Sequence, residues 1–321
     1  MASYKVLNTV VQNNFEMRSP IIVDGDLWIT NQGAAADSSK ELQIFSTANL
    51  ALIANLPDVN GIAHPLIIHD GTSVWATENS FGVINRIWQV NTSSYSYTAR
   101  TSTTGGVADF IDLIGMAWDG TYLWLVMTGR DEIRKYNPAT LAGVSTPSLV
   151  SGNNLTAFYG GGAVWVGRDN SDNVRKIDLS TDTFVATVGS STGSQFDTGM
   201  TFGDGSLWHA SSAAPHITRI DPVANTVIAT ITPPGIVQTS TFPAIAFFDN
   251  KCWVAGTTGG GTTFTVWAID AATNVATDMN LGMNRIDGMV SDGTSLFCTS
   301  VSTLYQIGKG PVGWVRGHAW G

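Results

Sequence analysis

A short motif that recurs seven times along the 321-residue chain is the feature that most restricts the fold. Each copy contains an apolar run, a tight turn rich in Asp and Gly, and a short strand with an aromatic residue, as in FGDGSLWHA at residues 202–210. The aromatic residues are Trp28, Trp75, Trp124, Trp165, Trp208, Trp253 and Phe297. They are 41 to 49 residues apart, which matches the length of one four-stranded blade of a β-propeller.

A second paired signal follows each motif and is clearest in NVRKIDLSTDTFVATV (residues 173–188) and HITRIDPVANTVIATI (residues 216–231). Both segments contain two alternating strands joined by a turn of Asp, Asn, Pro or Thr, which is typical of a hairpin. Each repeat therefore supplies four strands, and no segment shows the 3.6-residue periodicity of an amphipathic helix. These observations predict an all-β, seven-bladed propeller of four-stranded antiparallel blades.

The two ends of the chain indicate how the ring closes. The segment KVLNTVVQ (residues 5–12) resembles the fourth strands of the repeats but precedes the first repeat, whereas STLYQIG (residues 302–308) is a third strand without a following fourth. We therefore expect the N-terminal strand to complete the seventh blade, which removes two free sheet edges. This places the propeller at residues 1–308 and leaves a tail rich in Gly and Trp at residues 309–321.

Composition excludes several classes of protein. With 43% apolar and 13% charged residues the chain is not intrinsically disordered, and its net charge of −9 disfavours a nucleic-acid partner. No window reaches the roughly 18 consecutive apolar residues of a membrane span, and the N-terminus lacks the pattern of a signal peptide. We expect a protein made in the cytoplasm that does not insert into a membrane, with Cys252 and Cys298 as free thiols on successive blades.

The blade pattern DG.LWV followed by V.RID..T..V.ATI is similar to that of the YVTN-repeat and virginiamycin B lyase-like propellers. The similarity is clearest at residues 173–188 and 216–231 and looser elsewhere. It implies the seven-bladed fold more strongly than any function, because propellers carry enzymes, lectin-like binders and assembly modules alike. The lyases of this group are understood to use a His and Glu site with a divalent cation on the central face. No residue of this chain matches that site, and none is assigned to it.

Polar residues that precede the first strand of each blade should meet at one mouth of the central channel. They are Arg18, His64, Asp112, Asn154, Asp197, Arg285 and Asp287. The loops that join second to third strands add Glu78, Arg130, Asp131, Arg168, Asp169 and His216 on the same face.

Two interpretations of this ring of polar residues stay open. In the simpler one no cofactor is bound, and Arg18 and Arg285 neutralise the nearby carboxylates. In the alternative, the carboxylates hold Ca²⁺ or Mg²⁺, and His64, Asp197 and Asp287 form a catalytic site with His64 as base. The histidines show no repeated short spacing of metal ligands, which favours surface or hydrogen-bonded roles for them.

Other repeated residues have a structural explanation. Burial of each motif aromatic contributes roughly 1.5 to 3 kcal/mol, so the Trp series is interpreted as core. The Asp residues of the Asp-Gly turns suit tight turns and lack the spacing of a calcium loop. The glycine runs at residues 160–162 and 259–261 are interpreted as turn or loop glycines because no phosphate-binding pattern follows.

The tail contains Trp314, Arg316, His318 and Trp320 among glycines. Aromatic and Arg residues are enriched in interface hot spots, so the tail is interpreted either as a partner-binding segment or as a cover for the propeller.

The composition, poor in charge and rich in Gly, Ser, Thr, Asn and Ala, resembles that of phage virion and tail-appendage proteins. Our leading hypothesis from the sequence is a non-catalytic structural or host-binding component of such an assembly, with other protein subunits as partners. The alternative is a divalent-metal-dependent lyase or lactonase-like enzyme with its site at the channel mouth. A third hypothesis is recognition of a surface glycan or receptor.

Overall fold

The computed structural model describes residues 4–11, 15–33, 42–56, 66–77, 87–100, 113–127, 132–147, 154–168, 173–189, 198–211, 214, 216–239, 244–258 and 263–310. All regular structure in these ranges is β-strand, arranged in seven antiparallel sheets. No helix in these ranges is long and apolar enough to cross a bilayer.

The 29 strands follow the repeat. Blade 1 contains β2 (Phe15–Val23), β3 (Asp26–Gly33), β4 (Leu42–Ser46) and β5 (Leu52–Leu56). Blade 2 contains β6 (Ile67–His69), β7 (Ser73–Thr77), β8 (Ile87–Asn91) and β9 (Tyr97–Arg100), and blade 3 contains β10 (Leu113–Trp118), β11 (Leu123–Met127), β12 (Glu132–Tyr136) and β13 (Gly143–Ser145). Blade 4 contains β14 (Asn154–Gly160), β15 (Ala163–Arg168), β16 (Asn173–Asp178) and β17 (Thr183–Gly189).

Blade 5 contains β18 (Thr198–Gly203), β19 (Ser206–Ser211), β20 (Ile217–Asp221) and β21 (Thr226–Ile231). Blade 6 contains β22 (Gln238–Thr239), β23 (Ile245–Phe248), β24 (Lys251–Thr258), β25 (Thr263–Asp270) and β26 (Ala276–Asp278). Blade 7 contains β27 (Gly288–Ser291), β28 (Leu296–Thr299), β29 (Thr303–Lys309) and the N-terminal β1 (Tyr4–Val11). The predicted seven-bladed propeller is therefore confirmed.

The N-terminal strand closes the ring as predicted. Strand β1 pairs antiparallel with β29, from Tyr4 opposite Lys309 to Val11 opposite Thr303. Its side chains alternate between partly buried and exposed along all eight residues. The first and last described strands are thus neighbours in one sheet, and no blade is left incomplete.

Blade 6 departs from the four-strand pattern at its inner edge. Two segments, β22 and β23, both pair with β24 on its inner side, opposite residues 256–257 and 251–254 respectively. At the outer edge β26 is only three residues long and pairs with residues 267–269 of the eight-residue β25. Among the described residues, no strand pairs with the first three residues of β25, 263–265, on their outer side.

The Asp-Gly turns of blades 2, 3 and 7 are held by their own Asp side chains. In blade 2, Asp70 Oδ1 accepts the backbone N–H groups of Thr72 and Ser73, at 2.8 and 2.7 Å. Its Oδ2 accepts the indole N–H of Trp75 at 2.7 Å. Asp119 binds Trp124 in the same way at 2.7 Å. These bonds agree with the turn interpretation and link the aromatic residue to the turn in blades 2 and 3, whereas Trp165, Trp208 and Trp253 donate to the backbone carbonyl five residues earlier.

The core is divided among the gaps between blades. Buried apolar side chains of the described residues form seven clusters, one in each gap, including the gap between blades 7 and 1. The motif aromatics lie in these clusters and are between 0 and 2% exposed, so their core role is confirmed. Cys252 and Cys298 are free and fully buried in different clusters, as predicted, and burial raises the pKa of both thiols.

Cations on third strands connect neighbouring blades. Lys135, Lys176 and Arg219 lie opposite the motif Trp of their own blade, with Lys176 Nζ 5.7 Å and the Arg219 guanidinium 4.9 Å from the Trp ring centres. Each cation reaches the turn between the third and fourth strands of the next blade. The contacts are Lys135 to Asp182 at 2.8 Å, Lys176 to Asn225 Oδ1 at 3.1 Å, and Arg219 to Asn274 Oδ1 at 3.2 Å. This regular contact was not predicted. Its sequence signal is a Lys or Arg that stands two residues before the Asp or Asn at the end of the third strand of the same blade.

Candidate functional site at the channel mouth

The first strands of the blades surround the central channel. Each of β2, β6, β10, β14, β18, β23 and β27 contacts the corresponding strand of the next blade around the ring. We call the face that carries the hairpin turns the lower face and the opposite one, where chains enter the first strands, the upper face. The polar residues that precede the first strands, which form the candidate site predicted from the sequence, belong to the upper face.

The structure describes only part of the predicted ring. Arg18 lies in β2 opposite Thr30, and Asn154 begins β14 opposite Arg168, so both backbones are at the upper ends of inner strands. Seven of the predicted residues lie outside the described ranges and keep the status of predictions. They are His64, Glu78, Asp112, Arg130, Asp131, Asp169 and Asp197.

Arg285 and Asp287 form an ion pair at the upper end of blade 7. The Nε of Arg285 donates to Oδ1 of Asp287 at 2.6 Å, and the backbone N–H of Asp287 donates to the carbonyl of Thr299 at 2.8 Å. The Asp287 side chain is 1% exposed and that of Arg285 is 32% exposed. The carboxylate is thus held inside the blade, and the guanidinium is the part of the pair that meets solvent.

His216 has a structural role at the loop before β20. It is 5% exposed, adopts a positive φ of 70°, and its carbonyl accepts the N–H of Ser211 at 2.8 Å. Its Nδ1 lies 3.4 Å from the Ser211 carbonyl oxygen. This agrees with the interpretation of a hydrogen-bonded histidine, and His209 on β19 is also buried.

The described residues do not form a metal site. Within the ranges given above, no group of three His, Cys, Asp or Glu side chains could hold a metal ion. Asp287, the described member of the proposed catalytic set, already has a cation partner. A cation at this mouth would depend on residues outside the described ranges, and no catalytic step is derived through it.

Two other predicted features have different outcomes. Gly161 and Gly162 adopt φ of 61° and 75° in the turn between β14 and β15, as expected of hairpin glycines. The second glycine run and the tail residues Trp314, Arg316, His318 and Trp320 lie outside the described residues.

Comparison with known proteins identifies similar folds. No protein-family model matches the chain, and no curated protein matches it. Virginiamycin B lyase from Staphylococcus aureus is similar, with a TM-score of 0.72, 15% identity, and coverage of 95% of this chain and 99% of the lyase. A catalytically inactive variant of that lyase with quinupristin has a TM-score of 0.71 and 15% identity, with coverage of 96% of this chain and 99% of the variant. A chain from the mitotic checkpoint complex has a TM-score of 0.72 and 8% identity, with coverage of 96% of this chain and 94% of the other. At these identities the similarity establishes the fold alone.

The predicted role as a non-catalytic phage structural component is wrong. The similar structures include lyases, which are enzymes, and the resemblance in composition to virion proteins has no support among them. The physical reason lies in the fold, since tight hairpin turns require Gly, Asn and Asp, and blade cores require Trp and small apolar residues. A propeller acquires this composition whether or not it belongs to a virion.

Proposed function

We propose that the chain is an enzyme, a lyase or lactonase-like hydrolase, that acts on a small molecule held at the upper mouth of the channel. One observation carries the proposal, namely the similarity to virginiamycin B lyase over nearly the full length of both chains. A chain of the mitotic checkpoint complex shares the fold to the same degree, so a turnover assay is the direct test of the proposal.

The Arg285–Asp287 pair suggests how the mouth would bind such a substrate. Because Asp287 is buried and bound to Nε, it fixes the plane of the guanidinium and leaves the other Arg285 nitrogens to donate outward. Such a group can hold a carboxylate or an ester oxygen and stabilise charge that develops on it. In this proposal Arg285 binds substrate, Asp287 is a positioning residue, and a base is supplied by His64 or Asp197.

The test is a turnover assay with quinupristin and simple lactones, followed by mass spectrometry. An elimination leaves the summed product mass equal to that of the substrate, whereas hydrolysis adds the mass of one water. We expect turnover, and we expect His64→Ala and Asp197→Asn to lower kcat by roughly 10²-fold or more. Asp287→Asn should raise KM more than it lowers kcat, because it loosens the binding group.

The matched control is Asp292→Asn, a carboxylate of the same blade at the lower face. Asp292 Oδ1 accepts the N–H groups of Thr294 and Ser295, and Asn can make the same bonds. Equal activity losses in this control and the mouth variants would refute the assigned location. Absence of turnover and of binding for every compound would refute the proposal. Elemental analysis of the protein before and after treatment with a chelator, together with the turnover rate of each sample, decides whether the activity depends on a bound metal ion.

A further inference from the structure

Within the described ranges, the outer edge of blade 6 is open beside the first residues of β25. The last bond between the third and fourth strands runs from Met279 N–H to the Val266 carbonyl, at 3.0 Å. Beyond it the chain turns away, because Asn280 and Gly282 adopt φ of 43° and 63° and Asn280 N–H bonds to Asp278 Oδ1 at 2.8 Å. The first residues of β25 are therefore separated from segment 280–284.

A cavity of about 380 Å³ occupies this separation. Its volume lies within the range of small-molecule sites, which is roughly 300 to 1,000 Å³. The described residues that line it include one aromatic residue, Phe264, two apolar side chains from the loop, Leu281 and Met283, and two carboxamides, Asn280 and Asn284. Thr263 adds a hydroxyl group, and the hydroxyl of Thr265, which donates to Asp278 Oδ1 at 2.7 Å, can still accept a hydrogen bond from a ligand.

The chemistry of this lining selects for a neutral, hydroxyl-rich ligand. The nine described lining residues include no charged side chain, so an anionic ligand would find no counter-charge. A cation would find only the neighbouring Asp278, whose Oδ1 already accepts from the Thr265 hydroxyl at 2.7 Å and the Asn280 N–H at 2.8 Å. Within the described part of the chain, the side-chain amides of Asn280 and Asn284 make no hydrogen bond, and each amide can both donate and accept. Both residues are exposed at the rim, where a ligand can reach them.

We propose that this cavity binds a neutral saccharide residue. A sugar ring has an apolar C–H face, suited to Phe264 and Met283, and an edge of hydroxyl groups, suited to the carboxamides and threonines. The lining comes from the start of β25 and from segment 280–284, whose last residue, Asn284, directly precedes Arg285 of the channel mouth. The saccharide proposal does not depend on the proposed enzyme function.

An added peptide strand fits the cavity less well. Along a strand, the backbone N–H and C=O groups of alternate residues point to opposite edges. The Val266 carbonyl accepts from Met279 N–H, so the backbone groups of Val266 point to the outer edge of the blade. Phe264 is then the one residue of the open stretch, 263–265, with both backbone groups outward. A single such residue cannot support the ladder that strand addition requires.

The test is saturation-transfer NMR of the full chain with the methyl glycosides of glucose, galactose, mannose and N-acetylglucosamine. We expect at least one to bind with a millimolar dissociation constant and glucuronate to bind more weakly. Phe264→Ala should weaken binding at least tenfold. Because that variant also removes partly buried surface, Asn284→Trp provides a second test that fills the cavity from an exposed position and should abolish binding.

The control is Tyr159→Ala, which removes an aromatic side chain that is 39% exposed on blade 4. Unchanged binding in this control, with loss in Asn284→Trp, supports the site. Failure of all four glycosides to bind overturns the proposal. Binding that survives both Phe264→Ala and Asn284→Trp places the sugar elsewhere and overturns it too, as does binding of uncharged peptides in place of sugars.

Discussion

Loss of the Lys135–Asp182 contact between blades 3 and 4 should cost more than loss of an ordinary surface ion pair. Lys135 Nζ is 2.8 Å from Asp182 Oδ1, and the two side chains are 8% and 21% exposed. The ammonium also lies 4.3 Å from the ring centre of Tyr122 and 5.3 Å from that of Trp124. Asp182→Asn keeps the side-chain shape and tolerates the positive φ of 53° at this turn position, but it removes the negative charge.

The expected cost of Asp182→Asn is about 2 kcal/mol in free energy of unfolding. Breaking a fully buried pair by removing one partner costs roughly 3 to 5 kcal/mol, and both the retained amide acceptor and the partial exposure of Asp182 reduce that figure. Lys135→Met should cost less, about 1 kcal/mol, because the apolar stem still covers the rings. The charge it leaves behind, on Asp182, is the more exposed of the pair and keeps the Ser145 hydroxyl as a donor at 2.8 Å. The double variant should be more stable than the sum of the two losses predicts.

Urea unfolding followed by Trp fluorescence measures all three variants. Asp270→Asn is the matched control, since Lys251 and Asp270 are 3.1 Å apart and 26% and 40% exposed, and its unfolding midpoint should stay within error. Equal losses for Asp182→Asn and the control would refute the argument that burial makes the interblade contact strong. Strict additivity in the double variant would show that Lys135 and Asp182 do not interact.

Three further predictions concern the closure of the ring, the thiols and the tail. Tyr4 and Lys309 both donate hydrogen bonds to the Asp249 carboxylate. Burial raises the pKa of Asp249, but these two bonds outweigh that effect and lower it. The ionised Asp249 therefore stabilises the fold above the pKa of the unfolded state, and this stabilisation is lost as the pH falls through the lower pKa of the folded state. Acid titration of stability should therefore be steeper for the parent chain than for Asp249→Asn, and identical profiles would contradict this. Cys252 and Cys298 should resist a thiol reagent in the folded protein and react after unfolding, as measured by absorbance; fast native reaction would contradict their burial. Truncation after Lys309 should leave the melting temperature unchanged if the tail contacts a partner, whereas a marked fall by calorimetry would show that it packs on the propeller.

Local chemistry explains why the fold could be predicted from the sequence. In blades 2 and 3 the turn Asp bonds to the next backbone N–H groups and to the motif Trp five residues later. In blades 4 to 6 the motif Trp donates to the backbone carbonyl five residues earlier, so these hairpins too are held by contacts within one short segment. Seven copies then leave few arrangements that bury every Trp. Closure by β1 was also predictable, because its alternation matches that of the other outer strands.

The site was less predictable because it depends on contacts between distant segments. The pairing of Arg285 with Asp287 follows from a local spacing of two residues, but the order of burial, with the carboxylate inside, is set by packing in blade 7. The cavity beside Phe264 arises where β26 stops early, and the sequence gives only Asn280 and Gly282 as signals. The reach of Lys135 to Asp182 crosses 47 residues and is visible only in the assembled ring.

Closure by the N-terminal strand has a consequence for synthesis. At about 5 to 20 residues per second, the ribosome needs roughly 15 to 60 seconds to proceed from β1 to β29. Tyr4–Val11 must wait for that time before its neighbour strand is made. During that interval the earliest segment is an unprotected β-strand, able to pair with another nascent chain. Holding factors that shield extended N-terminal segments should therefore raise the yield of this protein more than those that act after release.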